Sequence, residues 1–286
     1  MTRTSRLISR LWPERLRAAS VIEGRNRTSQ LASIGIYVIM SMSFIAASVA
    51  LSNTVRFVER NAVLSSRQPL FLPISLIVVV FSFMLTLAAA LTVARERDRG
   101  TFRVLMFAPV DEVAFVLGNF AAQIRTYVVM ALFGLVWASL ATYFLNLAFS
   151  TQVLLAFAAS VPTVAAVVAF GLLIGIWGGK TRTAIAYLVL IALAFIGLQI
   201  GGDVVANTTF SQSPTQNDPI VVVRNVIIAA NSAIQWVSPY AQMSQGLDAI
   251  LDGNLGKLAL HIAVTVAQST VFLLAAVLVL KRKGSG

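Results

Sequence analysis

Six long apolar runs constrain this chain more than any other feature. They cover Leu31–Leu51, Leu72–Ala94, Thr126–Phe149, Val153–Trp177, Thr183–Ile200 and Leu258–Leu280. A helix that crosses hydrocarbon needs about 20 mostly apolar residues, and each run meets or approaches that length. The fifth is the shortest. The third and fourth are separated only by Ser150–Gln152, which predicts a tight hairpin. Composition agrees: 12% of residues are charged, about half the share in a soluble domain. The expected fold is an all-α polytopic membrane protein with six transmembrane helices.

Lys and Arg set the expected orientation, because cytoplasmic segments carry an excess of both. With the N-terminus inside, the inner segments hold 17 of the 22 basic residues, from Arg3 to Lys283. The outer segments hold Arg56, Arg60, Arg67, Arg224 and Lys257. The chain is therefore expected in the cell inner (plasma) membrane, multi-pass, with both termini cytoplasmic. The net charge of +11 becomes a topology signal with contact to anionic membrane lipids, and no nucleic acid partner is expected.

Two segments outside the spans have a pattern. Residues 1–30 are Arg-rich and too polar to span, and they lack the compact apolar region of a signal peptide. Leu7, Ile8, Leu11, Trp12, Leu16 and Val21 form one face, which predicts an interfacial helix on the inner leaflet, broken near Trp12-Pro13. Residues 31–286 form the spanning domain. Its long outer segment, residues 201–257, begins with a polar loop over Asn207–Pro219. The apolar Val221–Ala230 and the amphipathic Asn231–Leu251 follow, the latter ended by Gly253. They predict short outer helices re-entering the leaflet.

Several chemistries lack their residues. There is no cysteine, hence no disulfide or thiolate chemistry. The span interiors hold no ionisable side chain except His261 near one end, so no proton or sodium path is visible on this chain. No hydrolase elbow, zinc motif or paired intramembrane carboxylate occurs. Gly179-Lys180-Thr181 looks like the end of a phosphate-binding loop, but that motif needs a glycine where Ile174 stands, and it must follow a strand. Gly171-x-x-x-Gly175 has the spacing of small-residue helix packing. Asn207-Thr208-Thr209 matches a glycosylation acceptor, which is a short and frequent pattern.

The candidate site is the charged island that follows the second run. Five ionised residues, Arg95, Glu96, Arg97, Asp98 and Arg99, stand in a row. Gly100 and Thr101 then offer a bend. Phe102, Val104, Leu105, Met106 and Phe107 supply an apolar knob, and Pro109 ends any helix there. Orienting arginines alone need neither the interleaved acids nor the knob. A polar loop with an apolar knob at the membrane surface is a docking surface for another protein.

The island resembles the signature of type-2 ABC transporter permeases (the ABC-2 transmembrane subunit), E-R-E/D-x-G-T-x-x-x-L-x-x-x-P-V directly after the second span. Glu96, Arg97 and Asp98 take its charged positions, Gly100 and Thr101 its G-T, Leu105 its apolar core and Pro109-Val110 its P-V. Phe102 stands where leucine is more usual, and Gly118 fits a small residue in the helix leading to the third span. Ser238-Pro239 is a weaker echo. The resemblance implies an elbow helix, a cytoplasmic coupling loop over residues 95–112 and re-entrant outer helices. It also implies ABC ATPase subunits and a second permease copy, identical or paralogous, as partners. The chain itself would bind no cofactor, and ATP-Mg would sit on the ATPase. Glu96 and Asp98 would pair with basic groups of that ATPase, while Phe102, Leu105 and Phe107 fill its groove. Aromatics such as Phe44, Phe81, Phe83 and Trp137 suit an exported hydrophobic or amphipathic cargo. The runner-up is a membrane scaffold or assembly factor that recruits a cytoplasmic partner through the same loop.

Overall fold

The structure is a computed structural model that describes residues 3–61, 69–98, 111–191, 193, 236 and 238–284. Among these residues there are helices and turns and no strand. We number the helices α1 (Arg3–Leu31), α2 (Ile34–Asn61), α3 (Phe71–Asp98), α4 (Glu112–Phe144), α5 (Thr151–Gly178), α6 (Thr181–Ile191), α7 (Pro239–Leu251) and α8 (Leu255–Gly284). Five of them, α2, α3, α4, α5 and α8, are long and apolar enough to cross a membrane. The described part of the fifth expected run is the shorter apolar helix α6.

The helices extend past the apolar runs, because a helix does not stop where lipid does. Helix α3 carries on through Arg95–Asp98, and α4 begins at Glu112, well before the apolar run at Thr126. The expected turn at Ser150–Gln152 lies earlier. Helix α4 ends at Phe144, Asn146 takes a left-handed φ of 51°, and Ser150 is the N-cap of α5. Asparagine tolerates that conformation, whereas the apolar residues that follow it do not favour it. Helix α1 runs through Trp12-Pro13 without the expected break. A proline removes one donor, but the flanking Leu, Glu and Arg are strong helix formers and carry the helix across it.

Helix α5 is the hub. It packs most extensively on α8 and α3 and also touches α4 and α7. The α3–α5 seam is closed by the expected glycines. A Cβ on Gly171 would stand 2.6 Å from the Thr86 carbonyl oxygen, and one on Gly175 would stand 2.5 Å from that of Ala90. The two backbones therefore touch, which is how helices pack where lipid removes the hydrophobic drive. Phe81, Leu85, Val168 and Leu172 are fully buried in the same core. One polar pair lies within it, Tyr127 Oη and Ser160 Oγ at 2.5 Å, so neither hydroxyl is left unsatisfied.

Helix α7 matches the later half of the expected amphipathic stretch. Ser238 caps it, Pro239 occupies its first turn, and Gly253 follows it at φ 68°. Met243, Leu247 and Ile250 are buried, and Tyr240 Oη meets Ser82 Oγ at 2.7 Å. His261 of α8 bonds Gln242 Oε1 through Nδ1 at 2.7 Å, a packing contact. The loop Asn207–Pro219, the stretch Val221–Ala230 and the Asn207-Thr208-Thr209 pattern lie outside the described residues.

Candidate functional site

The charged island begins on the last turn of α3, where each of three successive side chains reaches a different helix. Arg25 of α1 donates through Nη2 to Glu96 Oε1 at 2.8 Å. The Glu96 side chain is only 14% exposed and Arg25 is 62% exposed, so the pair leaves the cation to water and covers the anion. Arg97 donates through Nη1 to the carbonyl of Ile176 at 2.7 Å. That carbonyl belongs to the last turn of α5, whose end groups lack intrahelical donors. Asp98 Oδ2 accepts from the Thr181 N–H at 3.5 Å, in the first turn of α6, where the N–H groups lack acceptors. The signs also match the helix dipoles: a cation at the end of α5 and an anion at the start of α6.

These contacts explain the Gly179-Lys180-Thr181 turn without a nucleotide. Gly179 follows α5 at φ 69°, a positive value that favours glycine, and the Lys180 N–H donates to the Gly178 carbonyl at 2.8 Å across it. A Cβ on Gly178 would stand 3.0 Å from the Ala184 nitrogen, so the turn between α5 and α6 is tight. One turn of α3 thus holds the end of α5, the start of α6 and the exposed flank of α1. Arg95 is exposed beside them. Arg99, Gly100, Thr101, Phe102, Val104, Leu105, Met106, Phe107 and Pro109 lie outside the described residues.

A second polar seam joins α1 to the first half of α4. A Cβ on Gly118 would stand 2.7 Å from the Ala19 carbonyl oxygen, so this glycine sets the close approach. Beside it Asn26 Nδ2 donates to Asn119 Oδ1 at 2.7 Å, with both residues buried. Glu23 is 4% exposed. It accepts from Arg125 and lies 3.6 Å from Arg27. Thr126 Oγ1 donates to Gln30 Oε1 at 3.1 Å. Sequence reasoning found Gly118 and missed its polar neighbours. The signal was there: Glu23, Asn26 and Gln30, and Asn119, Gln123 and Thr126, each recur at helical spacing on one face.

At the opposite end of the bundle a cavity of about 740 Å³ lies among α2, α3 and α7. Phe71, Leu72, Met243 and Leu247 line it together with Ser75, Tyr240 and Asp248. Three of the aromatics expected to suit a cargo, Phe44, Phe81 and Trp137, pack on one another, and Phe44 and Trp137 line a shallow groove between α2 and α4. Phe44 lies 5.9 Å from Phe81 and 6.2 Å from Trp137, ring centre to ring centre. Phe83 faces outward. Among the described residues no three His, Asp or Glu side chains come together as metal ligands would.

No individual curated protein matches the chain. A family model described as "ABC-2 family transporter protein" does match, over residues 17–285. With nearly the whole chain covered, from the middle of α1 to the end of α8, this multi-pass membrane protein belongs to the ABC-2 transporter family.

Proposed function

We propose that the chain is the permease subunit of an ATP-driven exporter, energised by a separate ABC ATPase and working beside a second permease copy. The fifth apolar run, Thr183–Ile200, is the fifth of six spans. Both termini face the cytoplasm of the inner membrane. The coupling loop, residues 95–112, then meets the ATPase on the inner side, and the re-entrant segment faces out. The cargo is hydrophobic or amphipathic, a reading supported by the cavity's lining, which joins Phe71, Leu72, Met243 and Leu247 to hydroxyls and to the carboxylates of Asp248 and Asp252.

The observation that carries this reading is the bracing of the α3 terminus. A loop that only recruits a partner needs no fixed link to the bundle behind it. Here the loop emerges from a turn tied to α1, α5 and α6 by Glu96, Arg97 and Asp98. A push on the loop reaches three helices at once. Glu96 is covered and engaged by Arg25, so its part is to transmit. The knob of Phe102, Leu105 and Phe107 is assigned to docking, together with the exposed Asp98.

Co-purification with candidate ABC ATPase subunits tests the reading. The wild-type chain is expected to retain an ATPase. A chain carrying Phe102→Ser, Leu105→Ser and Phe107→Ser is expected to lose it while still inserting in the membrane. Equal capture by both chains would remove the knob from docking, and capture by neither would remove the transporter's energy source.

A further inference from the structure

A groove opens between α1 and α4. It has a volume of about 670 Å³. Arg27, Thr28 and Leu31 line it from α1, and Arg125, Val128 and Val129 line it from α4. Its two ends differ in chemistry. The two guanidinium groups stand at one end, 41% and 59% exposed. Both serve the single buried carboxylate of Glu23, so two positive charges face one negative charge and a net charge of +1 remains. The Thr28 hydroxyl donates to the Gly24 carbonyl at 2.9 Å. Its proton is therefore used, and it offers the groove acceptor lone pairs.

The other end opens onto an apolar track. Val128, Leu132 and Val136 are exposed at successive four-residue steps on α4, which places them on one face. The track rises about 12 Å along α4 from Val128 to Val136 at 1.5 Å per residue.

We propose that this groove binds an anionic glycerophospholipid. The phosphate sits on the fork of Arg27 and Arg125, a headgroup hydroxyl donates to Thr28, and an acyl chain follows Val128, Leu132 and Val136. Guanidinium groups suit phosphate because their N–H pairs match two of its oxygens. A free phosphate would use the arginines and leave the track bare, whereas a phospholipid uses both. The inference needs only that the chain sits in a bilayer, so it stands apart from the coupling scheme.

The test is native mass spectrometry of the full chain, equilibrated with equimolar phosphatidylglycerol and phosphatidylcholine of identical acyl chains. Wild type is expected to retain phosphatidylglycerol preferentially, one per chain. The exposed Arg27→Gln is expected to cut that preference about fivefold, the value of one interfacial arginine, and Arg27→Lys is expected to keep most of it. Val128→Trp fills the groove without touching a charge and is expected to lower retention of the lipid. Glycerol 3-phosphate, the headgroup chemistry without chains, is expected to leave it bound. Retention of both lipids alike, retention unchanged in Arg27→Gln and Val128→Trp, or displacement by glycerol 3-phosphate would each overturn the proposal. So would a Val128→Trp chain that keeps its lipid but loses its dimer, because a second copy would then own the face.

Discussion

The α3–α5 seam and the α1–α4 seam solve the same problem with opposite materials. Both bring helices together at glycine. In the first, Gly171 and Gly175 press on the backbone of Thr86 and Ala90, and the surroundings are apolar. In the second, Gly118 presses on Ala19, and the surroundings are Glu23, Asn26, Gln30, Asn119 and Arg125. The difference follows from where each sits. In hydrocarbon an apolar side chain gains nothing by leaving lipid for protein, so close backbone contact holds the helices. At the polar end, water competes for every donor, and a matched set of charges and amides fixes the register instead. The first seam is therefore suited to rigidity and the second to specific docking of an outlying helix.

The comparison breaks most violently at Gly175. Gly175→Leu places a side chain against the Ala90 backbone, which cannot yield as a side-chain tip can. A loss of about 3 kcal/mol or more is expected, read as aggregation on size exclusion in detergent. Next comes Arg125→Ala, which leaves the buried Glu23 with the more distant Arg27. About 2 kcal/mol is expected from thermal unfolding, below the value for a wholly buried pair because Arg125 is half in water. Adding Glu23→Gln should return part of that loss, since the orphan charge goes with it. An apolar seam would show no such rescue. Asn119→Ala is expected to cost about 1 kcal/mol by removing one buried amide pair. Smallest in stability, and sharpest for topology, is labelling of introduced cysteines in a chain that has none. Gly253→Cys should react with a membrane-impermeant maleimide on intact cells, and Ser20→Cys only after permeabilisation.

Much of the scaffold was legible because a bilayer simplifies the code. Five spans follow from apolar length, and Gly171 and Gly175 lie on the packed seam that their spacing announced. What failed was governed by polar ends. The helix leading to the third span was expected, and α4 does start at Glu112, but no hydropathy window reports that its first half packs on α1. Pro13 suggested a break that its helix-forming neighbours override. At the island, the sequence marked Glu96, Arg97 and Asp98 as a docking set. Their intramolecular partners are Arg25, the Ile176 carbonyl and the Thr181 N–H, and two of those are backbone groups invisible to any side-chain pattern.

The central claim is that the end of α3 passes motion from an ATPase into the bundle, and a double-mutant cycle on Arg25 and Glu96 tests it directly. The assembled transporter in proteoliposomes would be compared for ATPase capture and for the change in ATP hydrolysis that the permease imposes. Arg25→Ala and Glu96→Ala should each leave capture intact and weaken that coupling. Together they should do little more than either alone, because one contact is removed twice. The swap Arg25→Glu with Glu96→Arg should recover it. If Glu96→Ala instead abolished capture while Arg25→Ala changed nothing, Glu96 would touch the ATPase itself, and the bracing of α3 would have no part in coupling.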